Sequence, residues 1–524
     1  MPWSANSGNE TSISFEPFKI RAVESIKLNT KEYRMEALKK AYYNPFLLKS
    51  EDVIIDLLTD SGISAMSTNQ LSGMIKADEV YIGSASFDKF HSAVTHLTGY
   101  PEVIPAHQGR AAEKILFQAL DLKKYHIVIS NGFFDTTKCA LDNIGTAALE
   151  YPEPKAEDPV ASKFRGNMDL EKLKFYLQSP EVYRVALVLV CVTNSHLSGQ
   201  PVSLKNLGKV ANLCRNHNIP LFLDACRYAE NVYYVKKNEP EYKDKSLLEI
   251  SRDMFALADG CFVSMKKDGL CNTGGFLAMK NVELALKCKE NIILNEGFPN
   301  YGGLTGRDLE AMAVGIMESI NEDFLNYHIN LVEDFGSLLE KMDIPVVLPT
   351  AGYAVYVNAS DTLPGIKRSE HPAWCLYCAL YIEGGIRACE IGSVMRAPDE
   401  REVHPEFVRF SIPRRVYTFA HLQFVADTLK YIMENRDKYS GYQVVQESDI
   451  LRHISIKLKP IQIQNSSTKS IKESSNLMVK EIDSRGSHTS ISSKLNSKRS
   501  ERDIDQHFIE NKQKTSSVKI NTKY

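Results

Sequence analysis

The sequence has almost no net charge, no long apolar run and no clustering of cysteines. Lys and Arg number 63 against 65 Asp and Glu, a formal net charge of −2, so nothing recommends a nucleic acid or a membrane surface as the main partner. The longest aliphatic run, "VALVLVCV" at 185–192, falls far short of the ~20 apolar residues that span a bilayer. The first twenty residues, "MPWSANSGNETSISFEPFKI", hold no basic start followed by an apolar core, so no secretory signal is visible. The ten cysteines are scattered, which excludes a disulfide framework and points to a reducing, cytoplasmic location. One pair, Cys375 and Cys378, has CxxC spacing within "HPAWCLYCALYIEGG". There Pro372 marks a helix start and Gly384 a stop, so the pair is expected to pack in a core. No internal repeat is visible.

The 524 residues, 43% of them hydrophobic, suit a globular protein of two domains or more. Composition changes near Pro460. From Ile461 to Tyr524 the chain is rich in Ser, Lys and Asn, with one Phe, one Tyr and neither Cys nor Pro. Its twelve Lys and Arg against seven Asp and Glu make it mildly basic, net +5. Such a segment cannot bury enough apolar surface to offset its ordering entropy. The expected organisation is a disordered N-terminus (1–14), an arm with part of a small domain (15–58), a large domain (59–320), a small C-terminal domain (321–457) and a disordered tail (458–524).

Before the tail, strand and helix patterns alternate. "VALVLVCV" reads as a buried strand, "SLKNLGKVANLCRNHN" at 203–218 as a helix, and "IPLFLDA" as a strand ending in Asp224. "GCFVS" at 260–264 supplies another. This is the signature of an α/β fold with a mostly parallel sheet, whose ligands bind beyond the carboxyl ends of the strands. On that rule Ser195, Asp224 and Lys267 converge on one crevice.

The last of those strands runs into "SMKKDGLCNTGG", two lysines where a solvated turn would be the plain explanation. Other segments supply partners for a different one. "HQGRAAEKIL" places Gln108, Gly109 and Arg110 at a helix start, suited to a phosphate. "NGFFDTT" offers Phe134 for ring stacking, and "LDACRYAEN" offers Asp224 and Arg227. "FVRFSIPRRVYT" offers Arg409 for a substrate carboxylate. A lysine to form an imine, a carboxylate to keep a pyridine nitrogen protonated, and a phosphate cradle together make up a pyridoxal 5′-phosphate site.

Together and in this order, the segments resemble the aromatic amino-acid β-eliminating lyases, the tryptophanase and tyrosine phenol-lyase family. Further matches are "SEDVIIDLLTDSGISAMS", "ADEVYIGSASF", "GQPVSLKNL", "NEGFPNYGGLTGRD" and "EIGSVMR", and the resemblance runs from about Phe15 to Lys457. It implies the aspartate-aminotransferase-like fold (fold type I), a homotetramer and a monovalent cation. It also implies that Lys267 forms the imine and removes the α-proton, while Lys266 and Ser264 reach the phosphate. Tyr81 matches the acid for the leaving ring, and Tyr301 a tyrosine that approaches the phosphate from a neighbouring subunit. Thr59 falls in the substrate site, and Glu79 with the carbonyls of Gly62 and Asn272 matches a potassium site. Two positions depart from the pattern. The asparagine usually bonded to the cofactor's phenolic oxygen is Ser195 here, with Asn194 one place earlier, and Ala106 stands where threonine often precedes "HQGR".

Within the family, Asp135, Ile391 and His453 match tryptophanase. A carboxylate at 135 could hold an indole N–H, and Ile391 replaces the arginine that engages a phenol oxygen. "GLTGRD" lies closer to the phenol-lyase version. The resemblance therefore implies conversion of L-tryptophan to indole, pyruvate and ammonia, with tyrosine cleavage to phenol, or a silent scaffold, as the alternatives.

Overall fold

Strand formation begins where the apolar runs are. In the computed structural model, seven of them make one sheet: β1 (Glu102–Ala106), β2 (Ile127–Ser130), β3 (Ala147–Glu150), β4 (Val185–Cys191), β5 (Leu221–Asp224), β6 (Gly260–Ser264) and β7 (Gly275–Met279). Their spatial order is β1-β7-β6-β5-β4-β2-β3. Strands β6, β5, β4, β2 and β3 run parallel, and β7 is antiparallel to both β6 and β1. The structure describes residues 16–154, 163–194, 197–395, 405–448 and 452–462. The expectations for residues 1–14, for Ser195 and for the tail from 463 lie outside them.

Helices cover both faces of the sheet, because strands buried on both sides must be shielded twice. Those that bear on function are α1 (Gly109–Ala119), α2 (Asp135–Ile144), α3 (Leu204–Asn216), α4 (Tyr228–Asn238), α5 (Gly306–Ser319) and α6 (Pro372–Gly384). Helix α3 starts where Ser203 accepts the N–H of Asn206, a serine cap. Proline at its first position starts α6 as the sequence predicts, and the left-handed residue that ends it is Gly385, one past the expected Gly384. Its Cys375 and Cys378 are free and buried, with thiols donating to the carbonyls of Ser440 and Tyr43. They pack; they do not pair.

The sheet carries two apolar layers, one running from Phe90 to Ala351 and the other centred on α1, Phe133 and Phe262. A further core joins Leu38–Leu57 to Leu331–Leu458 around fully buried Trp374 and Tyr377. It surrounds a smaller antiparallel sheet of β8 (Ala354–Asn358), β9 (Cys389–Ile391) and β10 (Phe407–Ser411), in the order β9-β10-β8. Among the described residues no helix is long and apolar enough to cross a membrane.

Two last strands, β11 (Tyr442–Gln446) and β12 (Lys457–Pro460), form a hairpin. Leu458 is only 3% exposed, its N–H donates to the Tyr42 carbonyl, and the Ile461 N–H donates to Gly441. The folded chain thus extends past the boundary expected at 457, because alternation in "IKLKP" turns Leu458 inward. Truncation after Gln462 is predicted to leave the melting temperature unchanged. Truncation after Ile456 should destabilise by about 2–5 kcal/mol, the cost typical of deleting a buried leucine. Thermal denaturation of both truncated proteins checks this.

Candidate functional site

The carboxyl ends of β4, β5 and β6 open into one cavity lined by Cys191, Asp224, Ser264, Lys266 and Lys267. Across it lie Gln108, Gly109 and Arg110 from the start of α1, Phe134 at the start of α2, and Arg227 at the start of α4. Gln108 caps α1 without a side-chain bond, so the helix presents its first-turn N–H groups. Gly109 is required by proximity: a Cβ there would stand 2.8 Å from the Ser264 Cβ. Lys266 and Lys267 follow β6 on a turn in which the Lys267 N–H donates to the Ser264 carbonyl at 3.3 Å. Burial, Lys267 and Arg110 all lower the Lys266 pKa.

The turn is braced from behind. The Gly62 N–H donates to the Lys266 carbonyl at 2.7 Å. Gly62 has φ +80°, and a Cβ would meet the Lys266 Cε at 2.6 Å, so only glycine fits both conditions. Two residues earlier, buried Asp60 grips Arg227 as a fork, with Nε at 2.9 Å and Nη2 at 2.8 Å. One face of the guanidinium lies over the Tyr353 ring, its Cζ 3.4 Å from the ring centroid, a cation–π contact. Burial alone would raise the Asp60 pKa, but Arg227 and Arg414 hold it far below the usual carboxylate range.

Asp224 is 7% exposed; it accepts the Cys226 N–H at 3.3 Å and lies 3.6 Å from the Cys191 thiol. A second carboxyl, Glu113 on α1, lines the same cavity and accepts the Thr137 hydroxyl at 2.6 Å. Burial, reinforced by Asp224, pushes its pKa up to about 8 against the pull of Thr137 and Arg110. Asp60 and Glu113 were not among the sequence candidates. Asp60 stands in a quoted segment but carries no local signal, and Glu113 reads as an ordinary polar helix position.

The remaining candidates lie in separate places. Arg409 on β10 faces Cys389 and Tyr356 across the small sheet, and its Nη2 donates to the Leu58 carbonyl at 3.4 Å, beside Thr59. Its Nε is buried without a hydrogen-bond partner. Burial lowers the His453 pKa, with Asp135 opposing and Arg409 adding; these three groups are therefore electrostatic neighbours. The His453 ring packs edge-on against Phe46 at 5.2 Å, and Ile391 packs on the Tyr353–Tyr356 cluster.

Tyr81 and Tyr301 do not line the cavity. Their rings sit 5.6 Å apart, with Phe298 5.1 Å from Tyr81, and Tyr81 is 60% exposed. Its hydrogen bond to Tyr301 raises the phenol pKa. Gly62 and Asn272 meet, the Asn272 amide donating to the Gly62 carbonyl at 3.0 Å. Glu79 instead accepts the Gly306 N–H at 2.9 Å and pairs with Arg307 at 3.1 Å. Asn194, adjacent to Ser195, is buried and accepts the Leu197 N–H at 3.3 Å.

Comparison with known proteins identifies the family. The family model described as beta-eliminating lyase matches residues 56–428. The tryptophanase of Salinibacter ruber is 44% identical over 457 residues, covering 85% of this chain and 95% of that protein. The tyrosine phenol-lyase of Symbiobacterium thermophilum is 41% identical over 452 residues, covering 85% and 98%. Among solved structures, Leishmania major threonine aldolase superposes with a TM-score of 0.52 at 16% identity, covering 72% of this chain and 99% of that one. That last likeness concerns the fold.

Glu113 yields a prediction about stability. Its carboxyl keeps a proton in the folded chain up to about pH 8, whereas its ordinary pKa is 4.5. Between those values the unfolded chain binds fewer protons, so stability falls as pH rises. Glu113→Gln removes this loss. The variant, without cofactor, should be more stable than the parent by a gain that grows between about pH 5.5 and about pH 8 to roughly a few kcal/mol. Denaturant melts at both pH values measure it.

Proposed function

The chain belongs to the beta-eliminating lyase family, and on that premise we propose that its cavity holds pyridoxal 5′-phosphate and that its substrate is L-tryptophan, released as indole, pyruvate and ammonia. The protein is a pyridoxal-phosphate-dependent carbon–carbon lyase acting on an aromatic amino acid. The observation that carries the site assignment is the meeting of Lys267, Asp224, Arg227 and the first turn of α1 on one cavity. The donor set suits the cofactor at each end: an amine, a buried carboxylate opposite, and cations with N–H groups for a phosphate. Bound there, the cofactor supplies an electron sink conjugated with the α carbon of the substrate.

The roles follow from chemistry and position. Lys267 is the covalent anchor and the base for the α-proton. Asp224 holds the proton on the ring nitrogen, and Phe134 stacks on the ring. Lys266, Ser264, Gln108, Gly109 and Arg110 take the phosphate, and Tyr301 approaches it from a neighbouring subunit. Arg227 and Ser195 serve the phenolic oxygen. Arg409 and Thr59 orient the substrate carboxylate; the unpartnered Arg409 Nε supports an anionic ligand there. Tyr81 gives a proton to the leaving ring.

The preference for tryptophan rests on Asp135, Ile391 and His453. Asp135 can accept an indole N–H, while Ile391 offers a phenol hydroxyl no partner, which costs about 1–3 kcal/mol when buried. The electrostatic coupling of His453 to Asp135 and Arg409 supports one pocket built from all three. A potassium ion at the Gly62 and Asn272 carbonyls completes the proposal. Glu79 would join it by exchanging Arg307 for the cation. A homotetramer in the cytoplasm fits ten free cysteines and an exposed ring at Tyr81.

Two outcomes test this. Steady-state kinetics on both amino acids should give indole from tryptophan faster than phenol from tyrosine at equal concentration; the reverse order overturns the assignment. Lys267→Ala should abolish turnover and borohydride labelling, while Lys266→Ala mainly weakens cofactor binding. Loss of one charge-assisted bond typically costs roughly 1.5–3 kcal/mol, because the phosphate keeps its other partners. Labelling at Lys266 would reverse the two roles.

A further inference from the structure

Behind the cavity, and not lining it, Arg414 is wholly buried. Its Nη1 donates to Asp60 Oδ2 at 2.9 Å, and its Nη2 to Asp268 Oδ1 at 2.8 Å and to Glu230 Oε1. Three carboxylates from three distant segments therefore meet one guanidinium. We propose that Arg414 is a positioning residue for the lyase reaction, fixing the guanidinium of Arg227 and the turn that carries Lys267. The proposal rests on the cofactor assignment above.

The connections run along two routes. Asp60 Oδ2 is shared between Arg414 and the Nε of Arg227, so the fork on Arg227 is set by where Arg414 holds Asp60. Asp268 directly follows Lys267, and its second oxygen accepts the Ala229 N–H at 2.7 Å. Ala229 is the second residue of α4, the helix capped by Arg227 itself. Arg414 thus reaches Arg227 through its side chain and through its backbone, and reaches Lys267 through its chain neighbour. Neutralising charge alone would not require this arrangement. A planar guanidinium can direct donors at several carboxylates at once, whereas an ammonium is a point charge on a flexible stem. The two explanations separate on that difference.

The test uses the cofactor-loaded Arg414→Lys protein, which keeps the charge and loses the fan of donors. The pH midpoint of the bound cofactor's visible band should move by about half a unit or more as Arg227 loosens. The value of kcat should fall about tenfold or more while KM changes about threefold or less, since Arg409 still orients the substrate. Combined with Asp60→Asn, the losses should fail to multiply, because both substitutions break one chain of contacts. A variant with the parent's midpoint and kcat but a lower melting temperature would show a merely structural role and overturn the proposal, as would losses that multiply. Should Arg414→Lys not fold, Glu230→Gln takes its place in the same cycle under the same criterion. A colourless parent after pyridoxal phosphate loading overturns the cofactor assignment and this proposal with it. A coloured, active parent with indifferent variants overturns this proposal alone.

Discussion

The bidentate pair between Asp60 and Arg227 is the constraint on which the site depends. Both side chains are buried, at 1% and 6% exposure, and both must leave water for the pair to form. Such a pair gains stability only when its remaining donors and acceptors are also met. Here they are met by Tyr353 below the guanidinium and Arg414 beyond the carboxylate. Each added ion needs its own partners, and the chain supplies Glu230, Asp268 and, 3.6 Å from Glu230, His328. The result is two arginines among three carboxylates. Burial and Glu230 push Asp268 up to about 7 against Arg414, while Arg414 and His328 hold Glu230 low against burial.

This cluster also ties the two packed regions together. Asp60 follows the short strand Ile55–Asp56, which pairs with Ile386–Arg387 beside the smaller core. Arg414 follows β10 of the small sheet, whereas Arg227, Glu230 and Asp268 belong to the large sheet's carboxyl edge. An apolar joint of equal volume would often be as stable or more so. A joint made of ions instead gives direction: Arg414 Nη1 is aimed at Asp60 and Nη2 at Asp268 and Glu230, so the small sheet with Arg409 is registered against the turn with Lys267. Arg409 and Lys267 are thereby carried by elements that meet at the same ion network.

Local signals explain what could be read in the sequence. The β-branched and leucine-rich run 185–191 became β4, and "GCFVS" became β6, because buried strands need little beyond apolar side chains and length. Ser203 and Pro372 fixed helix starts because capping acts within one turn. The strand-end rule pointed to Asp224 and Lys267, "LDACRYAEN" added Arg227, and the resemblance to a family supplied the division of roles between the two lysines. Asp60 and Arg414 escaped because their pairing spans 354 residues, and no window of sequence carries such a contact. Glu113 escaped because burial, the source of its perturbed proton, is a property of the folded α1 alone. Arg307 is a different case. Its segment looked like the phenol-lyase version, and it pairs with Glu79 without lining the cavity.

The adjacent lysines can now be explained by geometry. In a strand, successive side chains point to opposite faces, so Lys266 and Lys267 could not both have lined the cavity had β6 continued. It stops at Ser264. The next residues turn, with Lys267 N–H bonded to the Ser264 carbonyl and Leu270 N–H to the Lys267 carbonyl, and both ammonium groups then face one space. Burial, with Lys267 and Arg110, lowers the Lys266 pKa there, and a bound anion would offset that repulsion. Asp268, one residue on, turns the other way to Arg414. The order lysine, lysine, aspartate is therefore read outward by the cavity and inward by the ion cluster. A solvated turn would need neither face.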